Sequence, residues 1–319
     1  MAYYLGIDGG GSKTTCAVGD ELSRIATVTA GPSNITRVGE GRARESLHEA
    51  IRKACGAAQI GPRQLKRACV GVAGAGREEI AEAIGKIVAD MIPSEIEVVG
   101  DMEIGLAAAF GAGPGAIVIA GTGSIAYGRD AQGRTARAGG WGFAISDEGS
   151  AHWIGRAAVT ALLRAVDRGV GQGIEQSKDD RAAQASPLFH QLKAAWNLHA
   201  LEELVRTANS NPDFAALFPA VPAAAEAGDA VAQRVLAQAG GELAQLAGIV
   251  IQRLFVQDAA SLPAAKLAMA GGVFRHAPSV REAFCSAVHK LEPQPEVLLQ
   301  IVDPVEGALH MARRGQSPH

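Results

Sequence analysis

YYLGIDGGGSKTTCAV, residues 3–18, decides the fold of this chain, because it joins an apolar strand to a glycine-rich tip and a second strand. A second stretch of the same kind, AIVIAGTGSIAYGR, covers residues 116–129. We call these stretches hairpin 1 and hairpin 2. Each tip offers backbone N–H groups and hydroxyls, and glycine lets a ligand approach the backbone closely. Two such tips facing each other would clamp a polyphosphate, which predicts a nucleotide-binding enzyme.

Two better-known phosphate motifs are excluded. A P-loop needs glycine directly before Lys-Ser/Thr, but Ser12 stands between Gly11 and Lys13. Hairpin 2 contains GTGSIA at residues 121–126, which fits the loose dinucleotide fingerprint only if a helix begins there. Residues 127–137 instead have the pattern of a strand, a turn and a strand. Both hairpins therefore predict a different phosphate-binding fold.

Length and composition narrow the class of protein. With 319 residues, 48% of them hydrophobic, the chain can form two domains with sizeable cores. A net charge of −3 gives no basic surface for nucleic acid. The four cysteines form no CxxC pair, so neither a disulfide framework nor a zinc site is indicated: Cys16, Cys55, Cys69 and Cys285. We expect a cytoplasmic protein.

No membrane segment or signal peptide is predicted. The start MAYYLGID lacks a basic region and a cleavage site. Residues 104–128 carry no charge, but GAGPG at 111–115 divides them into a helix end and a strand start.

Apolar periodicity predicts the same order of elements, βββαβαβα, in both halves of the chain. The first half is predicted to have hairpin 1, strands at 24–30, 68–73 and 96–99, and helices at 41–58, 78–92 and 102–110. The second is predicted to have strands at 116–120, 124–129, 134–138, 266–270 and 296–301, and helices at 279–291 and 304–314. An Ala-rich helical insert, roughly residues 150–255, interrupts it. This duplication predicts two α/β lobes, residues 1–112 and 113–319, with a cleft between them.

The motifs GIDGGGSKT, VVGDMEIGLAAAFG, IAGTGS, GGWGFAISDEGSAHWIGRAA and LAMAGG carry a family resemblance. From about residue 4 to 312 the chain resembles the N-acetylglucosamine kinase and BadF/BadG/BcrA/BcrD ATPase family of the sugar kinase–Hsp70–actin superfamily. This resemblance implies a two-lobed actin-like ATPase (ribonuclease H-like) fold. It also implies an ATP- and Mg²⁺-dependent kinase that phosphorylates the 6-hydroxyl of N-acetylglucosamine or glucosamine. The small side chains of the insert would suit a twofold partner, which predicts a homodimer.

Two aspartates are assigned to the reaction centre. Asp101 follows the strand motif VVG and precedes a helix, where an aspartate serves either as N-cap or as general base. The resemblance implies the base. Asp8 lies at the end of the first strand, where it is either a turn residue or a ligand that holds Mg²⁺ through water.

The nucleotide site is assigned to three loops. Hairpin tips would contact the phosphates, with Lys13 open to a second interpretation as a solvated strand residue. The assigned tip residues are Gly10, Gly11, Ser12, Lys13, Thr14, Gly121, Thr122, Gly123 and Ser124. Gly271 and Gly272 match the family's adenosine-binding turn.

The sugar site is assigned from the resemblance to the GGWG loop, to Asn34 and to the end of hairpin 2. Its residues are Asn34, Asp101, Ser124, Gly140, Trp141, Gly142 and Asp147. Trp141 could instead be a core residue, and Asn34 a left-handed turn residue. Asp147 and Glu148 are expected to open the next helix, one of them as its cap.

Two alternatives stay open. N-Acetylmuramic acid could be the sugar, because specificity of that kind depends on a few pocket contacts. The same family contains ATPases that activate acyl-CoA dehydratases and hold an iron–sulfur cluster through cysteines near hairpin 2. No cysteine lies between Cys69 and Cys285, which argues against the activator.

Overall fold

The computed structural model describes residues 1–170, 186–210, 212–255, 265–291 and 294–314, and these form two five-stranded sheets and eleven α-helices. The first half contains β1 (Tyr3–Gly9), β2 (Thr14–Gly19), β3 (Arg24–Ala30), α1 (Ile35–Ala57), β4 (Leu65–Val72), α2 (Glu78–Ala89), β5 (Glu95–Gly100) and α3 (Asp101–Phe110). A 3₁₀ turn, Pro62–Gln64, precedes β4.

The second half repeats this order around the helical insert. Its elements are β6 (Gly115–Ala120), β7 (Ser124–Arg129), β8 (Thr135–Gly139), α4 (Ala151–Val170), α5 (Pro187–Trp196), α6 (Leu201–Ala208), a 3₁₀ turn (Phe214–Leu217), α7 (Ala220–Glu226), α8 (Ala230–Phe255), β9 (Lys266–Ala270), α9 (Gly272–His276), α10 (Pro278–Val288), β10 (Glu296–Val302) and α11 (Pro304–Arg314). Residues 171–185 of the predicted insert lie outside the described residues.

The sheets confirm the predicted duplication. Their strand orders are β3-β2-β1-β4-β5 and β8-β7-β6-β9-β10, which are equivalent position by position. In each sheet the first two pairs are antiparallel hairpins and the last two are parallel. Ligands of such sheets gather beyond the carboxyl ends of the parallel strands, which is also where both hairpin tips lie.

Helix α1 begins earlier than the apolar pattern predicts. It starts at Ile35, and Gly39 with φ 78° and ψ 162° interrupts it. This backbone conformation suits glycine and breaks the helical periodicity, so only the part after Gly39 carries a readable apolar face.

Each sheet has its own apolar core. In the first lobe, Leu5 of β1 packs in one buried cluster with Leu47 of α1. In the second lobe, Leu243 of the long helix α8 and Phe284 of α10 belong to a larger cluster that includes the insert. The alanine-rich composition of the insert allows its helices to approach each other and the sheet closely.

The last helices of the two halves, α3 and α11, cross each other between the sheets. A Cβ on Gly307 would lie 1.8 Å from the carbonyl oxygen of Ile104, and a Cβ on Gly6 would lie 2.5 Å from the Leu309 nitrogen. Helix α11 therefore packs on the first sheet, while Leu106 of α3 is buried with strands of the second. The boundary after residue 112 stays a prediction.

Within the described ranges no single helix is long and apolar enough to cross a membrane. Residues Phe214–Glu226 and Ala230–Phe255 pass that test of length and composition only as a pair, bent by 118°.

We expect Gly307→Ala to destabilise the protein by about 3 kcal/mol, because the added methyl group must push α3 and α11 apart. Urea unfolding would measure this. Gly241→Ala is the matched control, since Gly241 lies inside α8 with nothing within 4 Å of the added atom. That control is expected to stabilise by roughly 0.5–1 kcal/mol through helix propensity. Equal unfolding midpoints for the two variants would contradict a tight crossing.

Candidate active site

The tips of the two hairpins meet across the cleft. The Ser12 and Thr122 hydroxyl oxygens lie 2.8 Å apart although 110 residues separate them. In the part of the chain that the structure describes, the backbone N–H groups of Gly11, Ser12, Thr122 and Gly123 donate to no protein group. N–H groups clustered in this way form a concavity for an anion.

Backbone hydrogen bonds fix each tip to the start of the helix that follows the three antiparallel strands of its lobe. The Gly10 carbonyl accepts hydrogen bonds from the Ser33 and Asn34 N–H groups, at 3.1 and 3.2 Å. In the second lobe, the Gly121 carbonyl accepts one from Ala151, the first residue of α4, at 2.9 Å. The tips are therefore held from behind by backbone bonds, with their own donors facing the cleft.

Thr14 differs from the other assigned residues of hairpin 1 because its side chain is buried. Its hydroxyl lies 2.7 Å from both the Gly31 carbonyl and the Ser33 hydroxyl. Through these contacts the Thr14 hydroxyl stabilises the loop that leads to Asn34.

Carboxylates from both lobes lie close together beneath the tips. Burial, then the negative charges of Asp101 and Asp303, raise the pKa of Asp8 to about 7, and Lys13 opposes this. Burial, opposed by hydrogen bonds from backbone N–H groups and reinforced by Asp147, raises the pKa of Asp101 to about 6. Lys13 is exposed.

Asp101 is not the N-cap of its helix. Helix α3 begins at Asp101, and Gly100 is the N-cap residue, whose N–H donates to the Glu103 carboxylate at 2.9 Å. Asp101 accepts a hydrogen bond from the Met102 N–H at 3.0 Å. The cap interaction therefore belongs to Glu103 and leaves the Asp101 carboxylate at the cleft.

Asn34 carries a buried side-chain oxygen that has no hydrogen-bond partner among the described residues. Its φ of −70° and ψ of 102° are extended, so it is not the left-handed turn residue of the alternative interpretation. An unpaired buried acceptor costs free energy, on the order of 1–3 kcal/mol, that a ligand hydroxyl or amide would recover.

The GGWG loop exposes its tryptophan. Gly140 and Gly142 have φ of 71° and 102°, which favour glycine. Trp141 is 66% exposed, and the Arg137 guanidinium carbon lies 4.1 Å from the centre of a Trp141 ring. Trp141 is therefore not a core residue, which removes one of its two interpretations.

Asp147 joins the GGWG loop to hairpin 2. Its carboxylate is buried, and burial raises its pKa, opposed by the backbone N–H groups of Ser124 and Gly142. A Cβ on Gly123 would lie 2.8 Å from Asp147 Oδ2. The Ser124 hydroxyl donates to the Glu148 carbonyl at 2.7 Å, so this loop and the hairpin form one unit.

The expected helix start at Asp147 and Glu148 is wrong. Asp147 has φ 64°, which is left-handed and cannot begin a helix, and α4 starts at Ala151. The Ser150 hydroxyl accepts a hydrogen bond from the Trp153 N–H at 3.2 Å and supplies the cap.

The assigned adenosine turn packs on the base of hairpin 2. Gly271 has φ 101°, and a Cβ there would lie 2.2 Å from the Ala120 carbonyl oxygen. Gly272 then begins α9. Only glycine fits at position 271, so the turn directly adjoins the residue before the second tip.

Three cleft residues are missing from the sequence-based assignment. Arg37 Nη2 lies 2.7 Å from Asp213 Oδ1, which joins α1 of the first lobe to the insert of the second. His152 packs between Phe143 and Phe214, at ring-centre distances of 4.8 and 5.4 Å. The position of Arg37 three residues after Asn34 could have indicated it, whereas Asp213 lies in no recognisable motif.

Two lobes of one topology, joined by crossed helices and meeting at two glycine-rich tips, define the two-lobed actin-like ATPase fold. The chain belongs to the BadF/BadG/BcrA/BcrD ATPase family, whose sequence model matches residues 5–312. Both predictions, of fold and of family, are thus confirmed.

Named relatives match nearly the whole chain. It is 32% identical to an N-acetylmuramic acid/N-acetylglucosamine kinase of Clostridium acetobutylicum, over 98% of this chain and 99% of the relative. It is 27% identical to an N-acetyl-D-glucosamine kinase of Dictyostelium discoideum, over 97% of each. A crystal structure from Chromobacterium violaceum, assigned as an N-acetylglucosamine kinase, superposes with TM-score 0.72 at 23% identity, covering 97% of this chain and 98% of that one.

We expect Asp8→Asn to stabilise the protein without ligands at pH 8. The folded pKa of Asp8, about 7, lies above its ordinary value of 3.8, so the folded state binds more protons between these limits and stability falls as pH rises through them. Denaturant unfolding from pH 4 to 8 should give the variant a flatter profile and a higher midpoint at pH 8.

Asp20→Asn provides a control of opposite sign. Hydrogen bonds from the Ser23 and Leu22 N–H groups lower the pKa of Asp20, so this variant is expected to lose stability above the ordinary pKa. A lower midpoint for Asp8→Asn at pH 8 would contradict the raised pKa.

Proposed function

We propose that this protein is an ATP-dependent kinase that phosphorylates the 6-hydroxyl of an amino sugar, N-acetylglucosamine or glucosamine. The observation that carries this proposal is the meeting of both hairpin tips, where the Ser12 and Thr122 hydroxyl oxygens lie 2.8 Å apart. The names of the two relatives support a sugar as acceptor. N-Acetylmuramic acid is the second candidate sugar, because the C. acetobutylicum relative is named for both sugars.

Asp101 is the proposed general base. The oxygen of the sugar 6-hydroxyl forms a bond to the γ-phosphorus, the bond from that phosphorus to the β–γ bridging oxygen breaks, and ADP leaves. The hydroxyl proton passes to the Asp101 carboxylate. A pKa of about 6 leaves Asp101 largely ionised at pH 7 and above, yet basic enough to take a proton.

Magnesium is proposed to bind near Asp8. The described residues hold no group of three or more His, Cys, Asp or Glu side chains that could hold a metal ion. A single carboxylate suits Mg²⁺, which keeps several waters and takes further ligands from substrate phosphates. The bound ion would neutralise phosphate charge next to the carboxylates.

The other assigned residues receive roles by position. Gly10, Gly11, Ser12 and Lys13 would contact phosphate from the first lobe, and Gly121, Thr122 and Gly123 from the second. The unpaired Asn34 oxygen is proposed to accept a hydrogen bond from the sugar, opposite the GGWG loop and Asp147. Gly271 and Gly272 would border the adenosine. A homodimer in the cytoplasm remains our expectation.

The cysteines give the activator alternative no support. Cys16, Cys55 and Cys69 are buried in the first lobe, and burial raises the pKa of each thiol. Cys285 lies on α10. Cluster ligands are thiolates, and burial disfavours the thiolate form of all four cysteines.

We expect Asp101→Asn to lower kcat by about 10²–10⁴-fold, because the amide cannot accept the hydroxyl proton. A coupled ADP-release assay with glucosamine, N-acetylglucosamine and N-acetylmuramic acid would measure this and identify the sugar. Glu103→Gln is the control, since glutamine can still accept the bond from Gly100 and the expected loss is under about tenfold. Retention of kcat within tenfold in Asp101→Asn would remove Asp101 from the role of base.

We expect the kcat of the wild-type enzyme to fall as pH drops below about 6, where Asp101 becomes protonated. Substrate and magnesium binding will move this value, so the profile is compared with that of Asp101→Asn at the same concentrations. The residual activity of the variant should lack this acid limb. The same limb in both proteins would assign it to another group, with Asp8 the first candidate.

A further inference from the structure

Arg37 lies at the meeting point of the two phosphate hairpins. A Cβ on Gly11 would lie 3.4 Å from both Cδ and Nη1 of Arg37, and 3.5 Å from Cβ of Thr122. The guanidinium is therefore beside the tip of hairpin 1 and within reach of the tip of hairpin 2. Its side chain is 24% exposed, so it is largely enclosed by the cleft.

One edge of the guanidinium is held and the other faces the tips. Nη2 forms an ion pair with Asp213 at 2.7 Å, while Nη1 makes no ion pair or hydrogen bond with the described residues. Asp213 is itself fixed, because its carboxylate accepts a hydrogen bond from the Ala215 N–H at 3.1 Å. This arrangement orients a planar cation with unused donors on the side of the phosphate clamp.

We propose that Arg37 contacts the γ-phosphoryl group during its transfer, with Asp213 as the residue that positions the guanidinium. This inference rests on the proposed function. As the bond to the sugar oxygen forms and the bond to the bridging oxygen breaks, negative charge spreads over the three equatorial phosphoryl oxygens. A fixed guanidinium stabilises that charge more than it stabilises the ground state, which raises kcat.

A purely mechanical role makes a different prediction. If the Arg37–Asp213 pair only held the lobes together, removing either partner would have the same effect. If Arg37 touches the γ-phosphoryl group, its removal is much more damaging than that of Asp213. Removal of Arg37 would also weaken the binding of a nucleotide that has a γ-phosphate and leave the binding of a nucleotide without one unchanged.

The test compares Arg37→Gln, Asp213→Asn and Arg44→Gln. Arg44 is the matched control, an arginine of the same helix α1 that pairs with Asp90 at the surface. With the amino sugar accepted by the wild type, we expect kcat to fall about 10²-fold or more in Arg37→Gln, roughly tenfold in Asp213→Asn, because the guanidinium loses its positioning partner, and less than about threefold in Arg44→Gln. Guanidinium chloride added at millimolar concentration should restore at least tenfold activity to Arg37→Ala.

Nucleotide binding gives a second measurement that needs no sugar. Calorimetry with magnesium and AMPPNP should show about tenfold weaker binding to Arg37→Gln, and ADP should bind as it does to the wild type. Equal losses for both nucleotides, or equal kcat in Arg37→Gln and Asp213→Asn, would overturn the proposal. If the wild type phosphorylates no sugar, the proposed function fails, but the comparison of AMPPNP with ADP still decides the role of Arg37.

If Arg37→Gln lacks a thermal unfolding transition, Arg37→Lys replaces it. Lysine keeps the charge but loses the planar pair of donors. The same selective loss for AMPPNP, at smaller size, would support the proposal, and unchanged binding of both nucleotides would overturn it.

Discussion

The crossing of α3 and α11 is the constraint on which the cleft depends. At Gly307 the two backbones approach so closely that a single methyl group would lie 1.8 Å from a carbonyl oxygen. An aspartate directly follows the last strand of each sheet, Asp101 as the first residue of α3 and Asp303 just before α11, and each has glycine four residues later, at 105 and 307. The crossing therefore fixes how the carboxyl edges of the two sheets face each other, and with them the two hairpin tips.

The same geometry forces carboxylates together. Asp8 lies at the end of β1, Asp101 at the start of α3 and Asp303 between β10 and α11, so their proximity is a consequence of the fold and not of local sequence. Desolvation and mutual repulsion raise the pKa values of Asp8 and Asp101, which makes the folded state without ligands less stable at neutral pH. A site whose carboxylates are arranged to bind a cation and a phosphate therefore lowers the stability of the folded protein until those ligands bind.

The duplicated fold could be predicted because both halves repeat the same pattern of apolar strands and glycine-rich tips. The unpaired Asn34 oxygen, the left-handed Asp147 and the Arg37–Asp213 pair could not, since each depends on contacts between segments far apart in sequence. Asp147 illustrates the limit well. An acidic residue before an apolar run predicts a helix cap, but Asp147 packs against Gly123 of hairpin 2 and has φ 64°, a conformation that excludes a helix start.

Charge balance explains why a cleft that contains several carboxylates needs cations both near Asp8 and at the hairpin tips. A triphosphate brought next to Asp8 and Asp101 would be repelled unless positive charge accompanied it, and the low dielectric of an enclosed cleft strengthens that repulsion. Magnesium would offset part of this charge near Asp8, with Lys13 on the same side. Arg37 lies beside Gly11 where the two tips meet, and the cross-lobe pair with Asp213 holds its guanidinium there. Closure of the lobes would then bring the transferred phosphoryl group, its proposed acceptor and this cation into one water-poor space, which links lobe closure to charge stabilisation.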